Sequence, residues 1–128
     1  MTKPALAAIE KASEGLLFLS ETDAPFDVIH FPVSTTIEDY LKALSTAEDK
    51  TIQVKALDDF FKNSVATYNT DTSVEIQRAE RFKHLKDILI QNLRDICVYQ
   101  IGSIRSDVYI VGKLQDQYAG LHTFTVQT

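Results

Sequence analysis

The C-terminal part of the chain, residues 73–128, constrains the fold more than any other stretch. It begins with an apolar-striped segment, 74–96, in which apolar residues recur every three or four positions. Three short segments rich in β-branched and aromatic residues follow, at 98–101, 108–111 and 121–126, with turn residues between them. This order predicts one long helix followed by an antiparallel meander, and the last strand of that meander would end at the C-terminus.

The preceding residues predict shorter elements. Apolar residues at helical spacing predict helices in 3–14, 37–44 and 58–65, and two further segments, 26–31 and 51–55, have the character of strands. Helices on several segments, together with strands that are apolar on both faces, pack most economically as two helical layers around one sheet. We therefore expect an α+β fold, a three-layer α-β-α sandwich with a largely antiparallel sheet.

Two of the predicted helices carry the spacing of a capping box, in which a hydroxyl and a carboxylate each bond a free backbone amide. The first box would pair Thr35 with Glu38, and the second would pair Thr72 with Glu75. The sequence therefore predicts that a short helix begins at the first box and the long helix at the second.

Length and composition bound the class of protein. The 128 residues suffice for a single domain, 1–128, with one hydrophobic core. No apolar run approaches the roughly 20 residues that a membrane-spanning helix needs, and Glu10 and Glu14 interrupt the N-terminal apolar residues, unlike a secretory signal. A lone Cys97 excludes an internal disulfide bond and fits a reducing compartment. We therefore expect a cytoplasmic protein that does not enter a membrane.

The charge of the chain is unevenly distributed. The formal net charge is −5, and residues 21–59 contain nine acidic against three basic residues, a local balance of −6. A negative surface repels phosphate backbones, so we expect no direct contact with nucleic acid. The same surface suits a basic partner protein, although improved solubility is the simpler alternative.

No group of residues points to catalysis. The histidines are too far apart in sequence to predict a metal site, and the glycines are isolated rather than gathered in a phosphate-binding loop. His30 and His122 are predicted to be ordinary polar members of strands. Ser20 has no glycine-flanked elbow, and Cys97 has no neighbouring histidine in sequence, so neither has the setting of an activated nucleophile. We therefore expect no metal, no cofactor and no enzymatic activity.

Several short motifs resemble the nuclease A inhibitor family. The first is Gly-Leu-Leu-Phe-Leu-Ser-Glu at 15–21, followed by Pro25-Phe26. The rest lie in the C-terminal part and comprise Phe82, Leu85, Val98-Tyr99, Gly102, Asp107-Val108-Tyr109, Gly112, Ala119-Gly120 and the closing Thr128. The similarity covers most of the chain and is weakest between residues 31 and 55.

The resemblance implies an α-β-α sandwich that blocks a sugar-nonspecific DNA/RNA endonuclease. In the family, a glutamate directly after the Leu-Leu-Phe-x-Ser segment enters the nuclease cleft, and here it is Glu21, beside Ser20. The terminal threonine of the family reaches the region of the catalytic metal, and here it is Thr128. A loop ahead of the long helix completes the contact, and its counterpart is Asn69-Thr70-Asp71.

Two hypotheses follow. In the first, the protein is a nuclease inhibitor that fills the positively charged, metal-containing active-site cleft as a substrate mimic, because fixed carboxylates imitate phosphates without offering a scissile bond. In the second, the protein is a non-catalytic interaction module that keeps the inhibitor fold but binds a different basic protein. The second is motivated by the loop, where Thr70 stands at the aromatic position and the chain has no tryptophan.

Overall fold

The computed structural model of the chain describes residues 3–18, 23–33, 36–65 and 72–126. Within this part the chain forms helices α1 (Lys3–Ser13), α2 (Ile37–Leu44), α3 (Leu57–Val65) and α4 (Ser73–Asn92). None of these helices is long and apolar enough to span a membrane, as far as the described residues extend.

The strands of the described residues form two sheets. A two-stranded sheet pairs β1 (Leu17–Phe18) with β2 (Ala24–Pro25). A five-stranded sheet contains β3 (Asp27–Pro32), β4 (Ile52–Lys55), β5 (Arg94–Gly102), β6 (Arg105–Leu114) and β7 (Gln117–Val126). Its spatial order is β3-β7-β6-β5-β4, and every neighbouring pair is antiparallel. The predicted C-terminal meander is therefore the centre of the sheet, and β3 and β4 flank it.

Helices cover both faces of the large sheet. Because side chains alternate along a strand, Val108 and Ile110 of β6 face one side, whereas Tyr109 and Val111 face the other. The first pair belongs to a large apolar cluster with residues of α1, α3 and α4. The second pair packs in a smaller cluster with Leu41 of α2. The expected α+β sandwich of three layers, with a long helix before the C-terminal strands, is confirmed.

The two predicted capping boxes have different outcomes. At the start of α4 the box is present, because the Thr72 hydroxyl accepts from the Glu75 amide and the Glu75 carboxylate accepts from the Thr72 amide. The prediction for α2 is wrong, because its N-cap is Thr36 and the cap makes no side-chain hydrogen bond. Thr35 itself lies outside the described residues.

The long helix is shorter than its apolar stripe. The pattern predicts a segment up to Ile96, but α4 ends at Asn92 and the next residue, Leu93, is already extended. β5 begins at Arg94, which pairs with Lys113 of β6, and the ladder contains a bulge before Cys97. An apolar side chain at position 93 or 96 is buried equally well by a helix or a strand, so spacing alone misplaces the boundary.

Gly120 lies in β7 between Ile29 of β3 and Val111 of β6. A β-carbon at this position would overlap with the backbone carbonyl of Ile110, which cannot move without disturbing the ladder. Gly120→Ala should therefore lower the free energy of unfolding by about 3 kcal/mol in denaturant titrations. Gly15→Ala is the comparison, because it meets no atom and bears only the strain of φ +72°, worth roughly 1–2 kcal/mol. Equal losses in the two variants would contradict this account of the sheet.

Candidate functional site

The six contact residues predicted from the family resemblance all lie outside the described residues: Ser20, Glu21, Asn69, Thr70, Asp71 and Thr128. Their positions therefore remain predictions. The structure does describe the residues that border them, which are Phe18 and Asp23 on either side of 19–22, Val65 and Thr72 around 66–71, and Val126 at the end of β7.

The border residues Phe18, Asp23 and Val126 belong to one end of the molecule. Asp27 at the start of β3 pairs with His122, and β7 then continues past this pair to Val126. Both β1 and β2 contact β7. We call this end of the large sheet the Val126 end. Because the strands are antiparallel, it also holds the start of β6 and the end of β5.

The first turns of α4 lie at the same end. A cleft of about 260 Å³ is lined by Leu17 and Asp23 from one side and by Val74 and Arg78 of α4 from the other. Thr72, the N-cap of α4, immediately precedes these turns. The described residues that border segments 19–22 and 127–128, and the residue that follows 66–71, therefore all lie at the Val126 end.

A buried carboxylate organises the opposite face of this end, where α2 packs. Asp107 of β6 is 2% exposed. Its Oδ2 accepts hydrogen bonds from the Ser45 hydroxyl at 2.6 Å and from the Thr46 amide at 3.1 Å, and its Oδ1 lies 2.9 Å from His122 Nε2. We call these four residues the Asp107 network. A buried carboxylate is tolerated because these donors replace the water that it loses on folding.

Arg105 closes the outer side of the Asp107 network. Its guanidinium donates to the Thr46 hydroxyl at 3.0 Å and lies 3.6 Å from Asp107 Oδ1. The same guanidinium stands 4.6 Å from the centre of the Phe124 ring, a cation–π contact. The residues that follow α2 are thereby tied to both β6 and β7.

The local environment moves two pKa values in opposite directions. Burial by itself would raise the pKa of Asp107, but hydrogen bonds from Ser45 and His122, the charge that His122 can carry, and the Thr46 amide outweigh it and lower that pKa. Burial and the Asp107 charge raise the pKa of Tyr109 to about 12. At neutral pH Asp107 is therefore an anion and Tyr109 a neutral phenol.

The Asp107 network connects β6, β7 and the end of α2, but it does not place a base next to the Ser45 hydroxyl to activate it as a nucleophile. The Ser45 hydroxyl donates to Asp107, and the imidazole of His122 bonds the same carboxylate instead of the hydroxyl. This differs from a catalytic triad, in which the imidazole must take the proton of the hydroxyl. Among the described residues, no three acidic, histidine or cysteine side chains are grouped to hold a metal ion.

The prediction that His122 is an ordinary polar strand residue missed its role in the Asp107 network. One feature of the sequence indicated that network: Asp107 lies directly before the apolar run 108–111, inside the predicted C-terminal meander. A charged side chain in a strand with a buried face needs donors, and His122 on the next predicted strand was one candidate. Ser45 is 62 residues away in sequence and carried no such signal.

A protein-family model matches nearly the whole chain. The family model described as nuclease A inhibitor-like protein matches residues 3–128. No curated protein sequence matches the chain. The match covers the Asp107 network, the helices and sheets of the described residues, and the six predicted contact residues.

Asp107→Asn should lower the free energy of unfolding by about 2 kcal/mol at pH 7, because hydrogen bonds to a charged acceptor are replaced by weaker ones. The folded-state pKa of Asp107 lies below the unfolded value of about 3.9. Its contribution is therefore fully present above that value and is lost as the pH falls through the folded-state pKa.

Urea titrations of the wild type and of Asp107→Asn between pH 3 and pH 7 measure this loss. The difference in stability should be largest at pH 7 and should shrink in acid. Asp116→Asn removes an exposed carboxylate in the β6–β7 turn and should change stability by less than about 0.5 kcal/mol. A difference that grows as the pH falls would contradict the role assigned to Asp107.

Proposed function

The chain belongs to the nuclease A inhibitor-like family, and we propose that it inhibits a sugar-nonspecific endonuclease by filling the active-site cleft as a substrate mimic. The observation that carries this proposal is the family match over residues 3–128. Such a cleft binds phosphates and a divalent cation, so it is positively charged and attracts carboxylates. The inhibitor has no phosphodiester bond to cleave, and the enzyme therefore stays blocked.

In this mechanism the contact residues are Ser20 and Glu21, the loop Asn69-Thr70-Asp71, and Thr128. Glu21 meets a basic residue of the nuclease, and the C-terminal Thr128 approaches the metal of the enzyme. The described border residues support this grouping, because Phe18, Asp23, Thr72 and Val126 belong to the same end of the molecule. The described strands that border these residues are stiff, which limits the conformational entropy lost on binding.

The charge of the protein supports the same partner. Residues 21–59 have a local charge of −6. A negative lobe attracts a basic enzyme before contact and increases the rate of association, and added salt screens this attraction. We propose that the protein acts in the cytoplasm as one domain, without a cofactor or a catalytic activity of its own.

Glu21→Ala should raise the inhibition constant by a factor of tens or more. Truncating one partner of a buried interfacial charge pair costs about 2–5 kcal/mol, and each 1.4 kcal/mol is about tenfold in affinity. The measurement is a titration of nonspecific endonuclease activity with purified inhibitor. Asp116→Ala removes the same charge from the β6–β7 turn, at the opposite end of the sheet, and should leave the constant within twofold. Equal potency of wild type and Glu21→Ala would reject this mechanism.

A short extension after Thr128 should weaken inhibition at least tenfold, because it would push the chain end out of the cleft. An extension before Met1 is the control. α1 is 11 residues long, and its C-terminal residue Ser13 lines a cleft with Pro25 and Asp27. Its start therefore lies about 16 Å away along the helix axis, and the N-terminal extension should be tolerated. Inhibition that is insensitive to both extensions would argue against a role for the C-terminus.

The alternative is an interaction module that binds another basic protein. The loop with Thr70 at the aromatic position favours it, since the aromatic contact of the family is missing. Co-purification from the native lysate, followed by identification of the bound protein, separates the two functions. Recovery of a nuclease whose activity is blocked supports inhibition, whereas recovery of a different basic protein supports the module.

A further inference from the structure

We propose that a cleft between the start of β3 and the end of α2 binds an arginine side chain of a basic partner, with the guanidinium between Asp27 and His122. This inference rests on the proposed function in taking the partner to be a basic protein. It adds a second contact, on the α2 face of the Val126 end, to the contacts expected from the family resemblance.

The cleft is an open cavity of about 380 Å³. This volume falls in the range of small-molecule sites, about 300–1,000 Å³. The lining contains Asp27 and Ile29 of β3, Leu44 and Thr46 from the end of α2, and residues of the two central strands: Arg105, Asp107, Tyr109 and His122. The cleft therefore combines carboxylate, imidazole and aliphatic groups with a guanidinium and a phenol, within reach of one long side chain.

In the neutral form of His122, its free ring nitrogen and the Asp27 carboxylate are two neighbouring acceptors with no donor between them. Asp107 is an anion and can only accept, so the proton of a neutral His122 must lie on Nε2, which is 2.9 Å from Asp107 Oδ1. The other nitrogen, Nδ1, then presents a lone pair toward Asp27 Oδ2 at 3.7 Å. This distance is too long for a direct hydrogen bond, and both atoms are acceptors while the imidazole is neutral. A group with two donors placed between them would satisfy both.

The surroundings favour a cation with an apolar stem as that group. The Asp27 side chain is 71% exposed, and Leu44, which lines the same cleft, is 47% exposed. A water molecule would satisfy the acceptors but would leave Leu44 uncovered. A guanidinium supplies several donors in a fixed plane, and its methylene stem covers apolar surface.

Arg105 also lines this cleft, but its guanidinium does not occupy the position between Asp27 and His122. It is held by the Thr46 hydroxyl and by the Phe124 ring, on the outer side of Asp107. The acceptors assigned to the incoming arginine lie on the β3 side instead. Of the two carboxylates in the cleft, Asp27 is largely exposed, whereas Asp107 is buried and already bonded within the Asp107 network.

The probe is Nα-acetyl-arginine amide, titrated into the labelled full-length chain and followed by NMR. We expect saturable shifts of the Asp27 amide, the Leu44 methyl groups and the His122 ring. Nα-acetyl-citrulline amide has nearly the same shape without the charge and should bind at least tenfold more weakly. Equal binding of the two probes, or no saturable shift at these groups, would overturn the inference.

Two variants locate the probe. Asp27→Asn should weaken arginine binding at least fivefold, and Asp116→Asn, with the same change in net charge, should stay within twofold of wild type. Leu44→Ser should weaken binding two- to fivefold by removing the wall for the stem, and it keeps the inference testable if Asp27→Asn disturbs the fold. Arginine binding that neither Asp27→Asn nor Leu44→Ser weakens would overturn it.

A parallel inhibition assay separates this inference from the proposed function. If the nuclease supplies the arginine, Asp27→Asn should raise the inhibition constant about fivefold, and Asp116→Asn should not. Inhibition without any arginine binding would reject the cleft and leave the proposed function standing. Arginine binding in a chain that inhibits no nuclease would support the cleft and reject the proposed function. The cleft would then bind another basic partner.

Discussion

The buried carboxylate of Asp107 is the interaction on which the α2 face of this protein depends. Donors from the end of α2 and from β7 converge on one side chain of β6. An unpaired carboxylate at this depth would cost several kcal/mol, so these elements cannot separate without a large penalty. Apolar contacts such as that of Leu41 supply much of the stability but little direction. Hydrogen bonds are directional, and they hold Ser45, the C-cap of α2, against Asp107 of β6.

The two faces of the sheet differ because side chains alternate along β6. Val108 and Ile110 face the larger layer of helices, where the apolar core is closed. Asp107 and Tyr109 face α2, where burial raises the pKa of Tyr109 to about 12 and keeps it neutral. The thinner α2 layer leaves a cleft open between Leu44 and the start of β3. One face of the sheet thus provides stability, and the other combines a polar anchor with an accessible surface.

The Val126 end is the part of the molecule on which the proposed function depends. β7 is bonded to β6 along its full length and to β3 along its first part, so the strand reaches this end with little freedom. Inhibition of an enzyme cleft needs groups that are already in place, because ordering them on binding would cost affinity. The described ends of β1 and β7 and the start of α4 border the contact residues that we propose for this nuclease A inhibitor-like protein.

The sequence by itself determined the features that depend on near neighbours. The capping box at Thr72 marked the start of α4, and segments rich in β-branched and aromatic residues marked the central strands. The six contact residues came from family resemblance, since their types and spacing alone imply no site. Tertiary structure decided the strand order, the end of α4 at Asn92 and the meeting of Ser45 with Asp107. Such outcomes rest on pairing and burial between residues far apart in the chain, which local propensity does not encode.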